Sequence, residues 1–499
     1  MTEYQNEQVV NEAAPVAETF APTNEAPAEV APEQKSKKLL PVIIIAAVAL
    51  VAIILGILLL GAGGGKFIFR EQGFAQGADG NIYLNGKKVD QLEFDSVWLY
   101  NAYDGKSAIA ECRSEGDEGS TLYVVTKKGA TEIAAEVEYV ASSQNKDFVV
   151  YRDITEDGEN VTYTWYNVAK KKSETLGEDL GSVKLSTDGK TVAYAEAEET
   201  DEGIEYTTFV KNFGGKAKEI ELKNATPALV SDGAKILYLN KYTEDGSDLY
   251  RSVNKKEPVK VASNAELEDY NADHTEILYT DDKSNTYWVD GKKDGVKIAK
   301  DMDGMITPAS AIDYETFKGQ IYYYGDANIG YFDGKEIFKI SSKVSACSVA
   351  KDGETLYFTK YDDEGNNELY YVKNATAKKY EPVKVMEDVR SSVVVSPDGK
   401  KAYVLSEDNE LIVCSGKKKG DKVADDVSSI YAVNDKGICY FVDEDGVLYA
   451  SKNGKAKVKI ADDITGEDSG VVGRYGDYFY YKVEGDLYFA TGTKGAKVK

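Results

Sequence analysis

The chain carries one histidine, His274, in the stretch Ala272-Asp273-His274-Thr275-Glu276. A Ser-His-Asp triad would have to use that ring, because the imidazole takes the serine proton. No Gly-x-Ser-x-Gly elbow is present to expose a serine beside it. We read His274 as a turn residue, since related stretches carry Gly or Asp there. A lone histidine excludes a multi-histidine zinc site. Four cysteines, Cys112, Cys347, Cys414 and Cys439, share no Cys-x-x-Cys spacing. In surroundings such as CSVA and GICYF they read as small buried hydrophobes. Spacing alone leaves a Cys414–Cys439 bond open. No Gly-x-x-x-x-Gly-Lys-Ser/Thr or Gly-x-Gly-x-x-Gly motif opens a βαβ unit, so no phosphate cradle is expected.

Carboxylates remain. Asp153-Ile154-Thr155-Glu156-Asp157-Gly158 and Asp443-Glu444-Asp445-Gly446 partly mimic calcium loops. A calcium hand needs a glutamate at its twelfth position and a flanking helix, and neither context fits. Both stretches therefore read as hairpin turns. Hydrolysis by a pair of Asp or Glu residues is open, but it needs two carboxyl groups about 5 to 9 Å apart across a substrate. Among 85 acidic residues no pair stands out in sequence. No catalytic, cofactor-binding or metal-ligating residue is assigned, and no cofactor is expected.

The charge balance narrows the partners. Lys and Arg number 60, for a net charge of -25. Binding a phosphate backbone needs concentrated cations, so a nucleic-acid partner is not expected. Tyr is abundant, at 36, and Pro scarce, at 10. That mixture, with 44 Gly, suits strands joined by tight turns.

The elements that would position any site recur every 37 to 44 residues from about residue 80 to the end. The clearest is an aromatic-rich strand, marked by Tyr83, Tyr123, Trp165, Phe209, Tyr250, Trp288, Tyr331, Tyr370, Ile412, Tyr449 and Tyr488. An acidic turn precedes it in most copies, as in TEDGSD and DDEGNN. Earlier in the unit comes another turn, as in STDGK (186–190), SDGAK (231–235) and SPDGK (396–400). Asp-Gly supplies the positive φ that tight hairpins favour. Four short strands per unit, with apolar runs of 4–7 residues and no 3.6-residue period, predict an all-β, β-propeller-like repeat domain over 80–499 of about ten units.

The Ser396-Pro397-Asp398-Gly399-Lys400 turn resembles the WD40-like repeat of the TolB type. The whole repeat region resembles the membrane-anchored extracellular β-propeller domains of Gram-positive bacteria. That resemblance implies a fold used for protein contact and as an accessory to peptidases. No hydrolase domain follows the repeats, so the peptidase association is not carried over.

Residues 1–38 form an acidic Pro/Ala-rich segment expected to be a disordered cytoplasmic tail. Lys35, Lys37 and Lys38 then precede an uninterrupted apolar run from Leu39 to Leu60, about 33 Å long as a helix. This predicts a single-pass transmembrane helix over 39–62, a signal-anchor contacting membrane lipid, with 63–79 as a juxtamembrane linker. Cleavage near Gly61–Gly65 is the competing reading. The lysine bias places the N-terminus in the cytoplasm and the repeats outside the cell. The expected function is a non-catalytic extracellular binding or scaffold module anchored to the cell membrane, facing a protein or cell-wall polymer. The alternatives are a carboxylate-dependent glycan hydrolase and a sensor relaying through the helix to a partner.

Overall fold

The computed structural model describes residues 66–498, apart from 70–71, 78–79, 155–160, 202, 245, 292–294, 307–310, 317–320, 378–380, 435, 467–468 and 476–477. Within them the chain is strand throughout, apart from one 3₁₀ turn at Asp232–Ala234. There are eight four-stranded antiparallel sheets, one sheet of seven strands, one of three and one of two. The seven-stranded sheet, 96–178, is two successive units sharing the long strand Gly129–Ser142. The first half of that strand pairs with Ser120–Thr126 and the second with Phe148–Asp153. Glu136, at φ 57, breaks it between the two pairings.

Counted along the chain, unit 1 is the three-stranded sheet 74–91, and units 2 and 3 share 96–178. Units 4 to 11 are 180–219, 225–262, 265–300, 304–341, 344–386, 389–424, 427–461 and 470–497. The aromatic positions read from the repeat fall on the third strand of the units, as Trp165 on Thr162–Asn167 and Tyr370 on Asn367–Lys373. Phe74–Gln76, inside the expected linker 63–79, is the first strand of unit 1. Lys66–Phe69 pairs with Ala311–Thr316, which lies between two strands of unit 7.

Each unit buries both faces against neighbours. That is why second strands such as Ile236–Thr243 open on a continuous apolar run, Ile-Leu-Tyr-Leu, instead of alternating. The apolar core is correspondingly divided. Phe148 and Trp165 of unit 3 pack on Leu180 and Val183 of unit 4. Tyr357 and Leu369 of unit 8 pack on Val393 and Val404 of unit 9. The same face-to-face packing joins every consecutive pair, and Ala75 and Tyr83 of unit 1 pack on Tyr480 and Leu487 of unit 11. The stack therefore returns to its start.

A tyrosine on the second strand reinforces many of these faces. Tyr238 donates to the carbonyl of Thr275 in unit 6 at 3.2 Å, and Tyr322 to that of Gly353 in unit 8 at 2.6 Å. The Gly416 amide of unit 9 donates to the Tyr357 hydroxyl at 2.7 Å. Tyr440 donates to the Gly492 carbonyl of unit 11 at 3.1 Å. Each reaches forward by one unit. Tyr480 of unit 11 does the same, accepting from the Gly86 amide of unit 1 at 2.8 Å. All five side chains are fully buried. A buried phenol must find a polar partner, and the neighbouring turn supplies it. Five of the 36 tyrosines serve in this clasp.

The membrane part of the expected fold class is corrected. Residues 1–38 and the predicted span 39–62 lie outside the described residues. Among the described residues no helix is long and apolar enough to cross a membrane. A span needs about 20 consecutive apolar residues in one helix, and the described chain is built of short strands. The supported class is all-β, with many four-stranded antiparallel sheets. The single-pass, signal-anchor and extracellular assignments and the lipid partner rested on that helix, and no membrane-spanning helix among the described residues supports them.

Candidate functional site

The turn between the first and second strands of each unit lies close to the same turn in its neighbours. In unit 4 it is Ser186-Thr187-Asp188-Gly189-Lys190. The Ser186 hydroxyl and the Lys190 amide donate to Asp188 Oδ1 at 2.9 and 3.0 Å, and the Lys190 ammonium meets Oδ2 at 3.0 Å. Unit 9 repeats this geometry around Asp398 with Ser396 and Lys400. Gly189 holds φ 69, and a Cβ there would lie 2.6 Å from the Ser143 side chain and 2.7 Å from that of Phe148. Only glycine allows the turn to seat so closely on unit 3.

Unit 4 has a second carboxylate beside the turn. The Asp188 amide donates to Asp232 Oδ1 of unit 5 at 3.0 Å. The two carboxyls are displaced in opposite directions. Partial burial alone would raise Asp188, but its bonds from Lys190 and Ser186 outweigh that and hold it below the ordinary carboxylate range. Burial pushes Asp232 up, and the adjacent Asp188 charge adds to the rise despite the bond from the Asp188 amide. Neighbouring carboxyls shifted in opposite directions are the arrangement that separates an acid from its partner. Asp398 is lowered in the same way as Asp188, so the low member belongs to the turn type.

Beside the pair lies a cleft of about 620 Å³ among units 3, 4 and 5, lined by Asp147, Asn167, Lys170, Asp188 and Lys190. Phe148 and Phe213 also line it and meet edge to face, with centroids 5.3 Å apart. The Lys190 ammonium is raised, first by its bond to Asp188, and it also feels the charges of Asp232 and Asp147. Three carboxylates from equivalent turns of three successive units thus surround one lysine. Sequence reasoning singled out none of them. The signal available was the repeat itself, since aligned turns of adjacent units must be neighbours in space.

The other sequence candidates resolve as follows. His274 occupies the expected turn, at φ 59, with its amide donating to Asn271 O at 3.0 Å. It lies in unit 6 and does not line the cleft. All four cysteines are free thiols, Cys414 and Cys439 included. Cys112, Cys414 and Cys439 are buried and Cys347 is half-buried. Burial raises the Cys112 and Cys347 thiols to about 12, which makes them poor nucleophiles. The Asp443 carboxylate accepts from the Asp445 and Val447 amides of its own turn. Residues 155–160 of the other acidic stretch lie outside the described residues. Among the described residues no group of three or more His, Cys, Asp or Glu is placed to hold a metal.

No protein-family model matches the chain, and no curated protein does. Solved structures give distant likenesses. A prolyl endopeptidase shares 11% identity at a TM-score of 0.34, over 70% of this chain and 55% of its own. The chain thus spans about half the length of that enzyme. A eukaryotic initiation factor shares 11% identity at 0.40, over 79% and 97%. TolB from Acinetobacter baumannii shares 8% at 0.27, over 58% and 66%. Likenesses this low carry no functional argument. The expected kinship with membrane-anchored extracellular propeller proteins is corrected to this distant, mixed similarity. The expected non-catalytic anchored binding or scaffold module is corrected as well. It rested on an anchor that no helix among the described residues supplies.

Proposed function

We propose that the chain is a carboxylate-dependent glycan hydrolase working in the cleft of units 3 to 5. The observation that carries this reading is the gathering of Asp147, Asp188 and Asp232 around Lys190 beside the cleft, with Asp188 bonded to Asp232 through its amide at 3.0 Å and the two carboxyls shifted in opposite directions. Asp232, whose proton affinity is raised by burial and by the neighbouring Asp188 charge, is the general acid that gives its proton to the leaving glycosidic oxygen. Asp188 adds to the rise at Asp232 and is a positioning residue, because the hydrogen bond from its amide to Asp232 leaves no room for a sugar between the two. The second reacting carboxylate is then Asp147, which lines the same cleft from the neighbouring unit. It would activate water or attack the anomeric carbon. Asn167 and Lys170 offer donors to sugar hydroxyls, and the Phe148–Phe213 pair offers an apolar wall.

The test is release of reducing ends from a panel of polysaccharides and aryl glycosides. Asp232→Asn and Asp147→Asn should each abolish turnover while leaving the fold intact. Asp188→Asn should retain activity but move the basic limb of the pH profile to lower pH, because the charge that raises Asp232 is gone. Hydrolysis that survives both Asp232→Asn and Asp147→Asn, or a panel with no turnover at all, refutes the reading.

A further inference from the structure

A second cavity, separate from the cleft, lies where the inner ends of five units meet. It encloses about 360 Å³ and is lined by fifteen residues of units 2 to 6, among them Tyr103, Ser142, Lys146, Lys184, Ser186 and His274. Hydrogen bonds brace the units around it. The Gln144 side chain of unit 3 and the Thr187 hydroxyl of unit 4 both donate to the Ala272 carbonyl of unit 6, at 2.7 and 2.6 Å. The volume suits a small molecule.

Its chemistry runs against that of the chain. Acidic residues make up 85 of 499, so fifteen lining residues drawn at random would include two or three. This lining has none, and it holds two lysines and the only histidine. The way two of these side chains arrive is equally pointed. At the fourth position of the first turn the units carry glycine in the left-handed region: Gly105, Gly189, Gly353, Gly399 and Gly437, at φ 66 to 70. Unit 3 places Lys146 there, at φ 61, unit 5 Ala234, at φ 51, and unit 6 His274, at φ 59. A Cβ is disfavoured at such angles. Of these three departures from glycine, Lys146 and His274 line the same cavity.

The histidine also shows which atom it offers. Its Nδ1 lies 2.9 Å from the Val230 carbonyl oxygen. An oxygen acceptor requires the proton to be on Nδ1, so Nε2 carries a lone pair. Burial favours this neutral ring, against opposing effects of the Val230 bond and the Asp273 charge. Tyr270 packs edge-on against it, with centroids 5.0 Å apart, and fixes its plane. The cavity therefore sets ammonium and hydroxyl donors beside one acceptor.

We propose that this cavity binds a small oxyanion that also carries a hydroxyl, such as hydrogen phosphate or a 2-hydroxycarboxylate, with Lys146 and Lys184 facing the charge and His274 Nε2 accepting from the O–H. The site does not depend on the hydrolase reading.

Calorimetric titration of the full chain tests it with four probes. Inorganic phosphate and glycolate carry both groups, while sulfate and acetate at neutral pH carry the charge without the O–H. Saturable binding is expected for phosphate or glycolate with Kd at or below about 1 mM. The matched sulfate or acetate should bind at least about tenfold more weakly. Phosphate alone points to phosphorylated ligands, and glycolate alone to hydroxy acids. His274→Gly and Lys146→Gly restore the residue that other units carry at this turn, so the fold should tolerate them. His274→Gly should erase the preference for the O–H-bearing probe, and Lys146→Gly should weaken all four. No saturable binding by either hydroxyl-bearing probe overturns the proposal. So does binding that neither substitution changes.

Discussion

If the units close into a circuit, Tyr480 is as important as any tyrosine within the stack. Its hydroxyl accepts from the buried Gly86 amide at 2.8 Å, linking residues 394 apart in sequence. Tyr480→Phe keeps the ring and removes only the acceptor. The Gly86 N–H is then left without it in a buried position, which costs about 1 to 3 kcal/mol. Tyr357→Phe is the control, since the Gly416 amide donates to Tyr357 in the same way inside the stack. Gly86 and Gly416 sit in equivalent turns, between the last two strands of their units. Both variants should lower the urea midpoint, followed by circular dichroism or by the fluorescence of Trp165 and Trp288. In native-state hydrogen exchange the Gly86 amide should exchange roughly 5- to 150-fold faster in Tyr480→Phe, the same free energy expressed as a ratio. Tyr480→Ala goes further, since it also opens a cavity between Ala75, Tyr83 and Leu487. It should cost about 3 to 5 kcal/mol by analogy with buried Phe→Ala changes. In an open stack units 1 and 11 would not touch. A Tyr480→Phe variant that matches the parent in midpoint and in Gly86 exchange, while Tyr357→Phe is destabilised, refutes closure.

Other outcomes follow from the same contacts. Asp232 has a folded pKa above its unfolded value of 3.8, so its contribution is present below that value and is lost as pH rises through the folded pKa. Asp232→Asn should therefore be more stable than the parent in urea melts at pH 7, with the gap closing toward pH 4; no gain at pH 7 contradicts the assignment. His274 has a folded pKa below its unfolded 6.5, so its contribution is complete above that value and is lost as pH falls through the folded pKa. The parent should lose stability on acidification below that value in a way that His274→Gly does not, as comparison of thermal melts across pH 5 to 7.5 would show. Gly86→Val must place a side chain at φ 72 against the Phe489 ring, which a Cβ alone would approach to 2.7 Å. It should destabilise by about 2 kcal/mol or more, and an unchanged melting temperature would argue against the packing of unit 1 on unit 11.

The repeat was legible from residues alone because strand, turn and aromatic position recur locally. An Asp-Gly at a bend needs nothing distant to adopt a positive φ, and the aromatic markers from Tyr123 to Tyr488 mark the third strands. Their sequence pattern also carried the all-β class and the rejection of His274 as a triad base. It could not show that Tyr238, Tyr322, Tyr357, Tyr440 and Tyr480 share one task, since each partner is a backbone atom of another unit. Nor could it select Asp147, Asp188 and Asp232 from 85 acidic residues. Those three come together only when three units stack turn on turn, and the rise at Asp232 arises from that burial and that neighbour. The expected anchor shows the opposite limit. Hydropathy reads a stretch of chain by itself, whereas the described architecture is held by faces that meet across units. Which side chains share a cavity is a property of those faces, and the tertiary structure alone decides it.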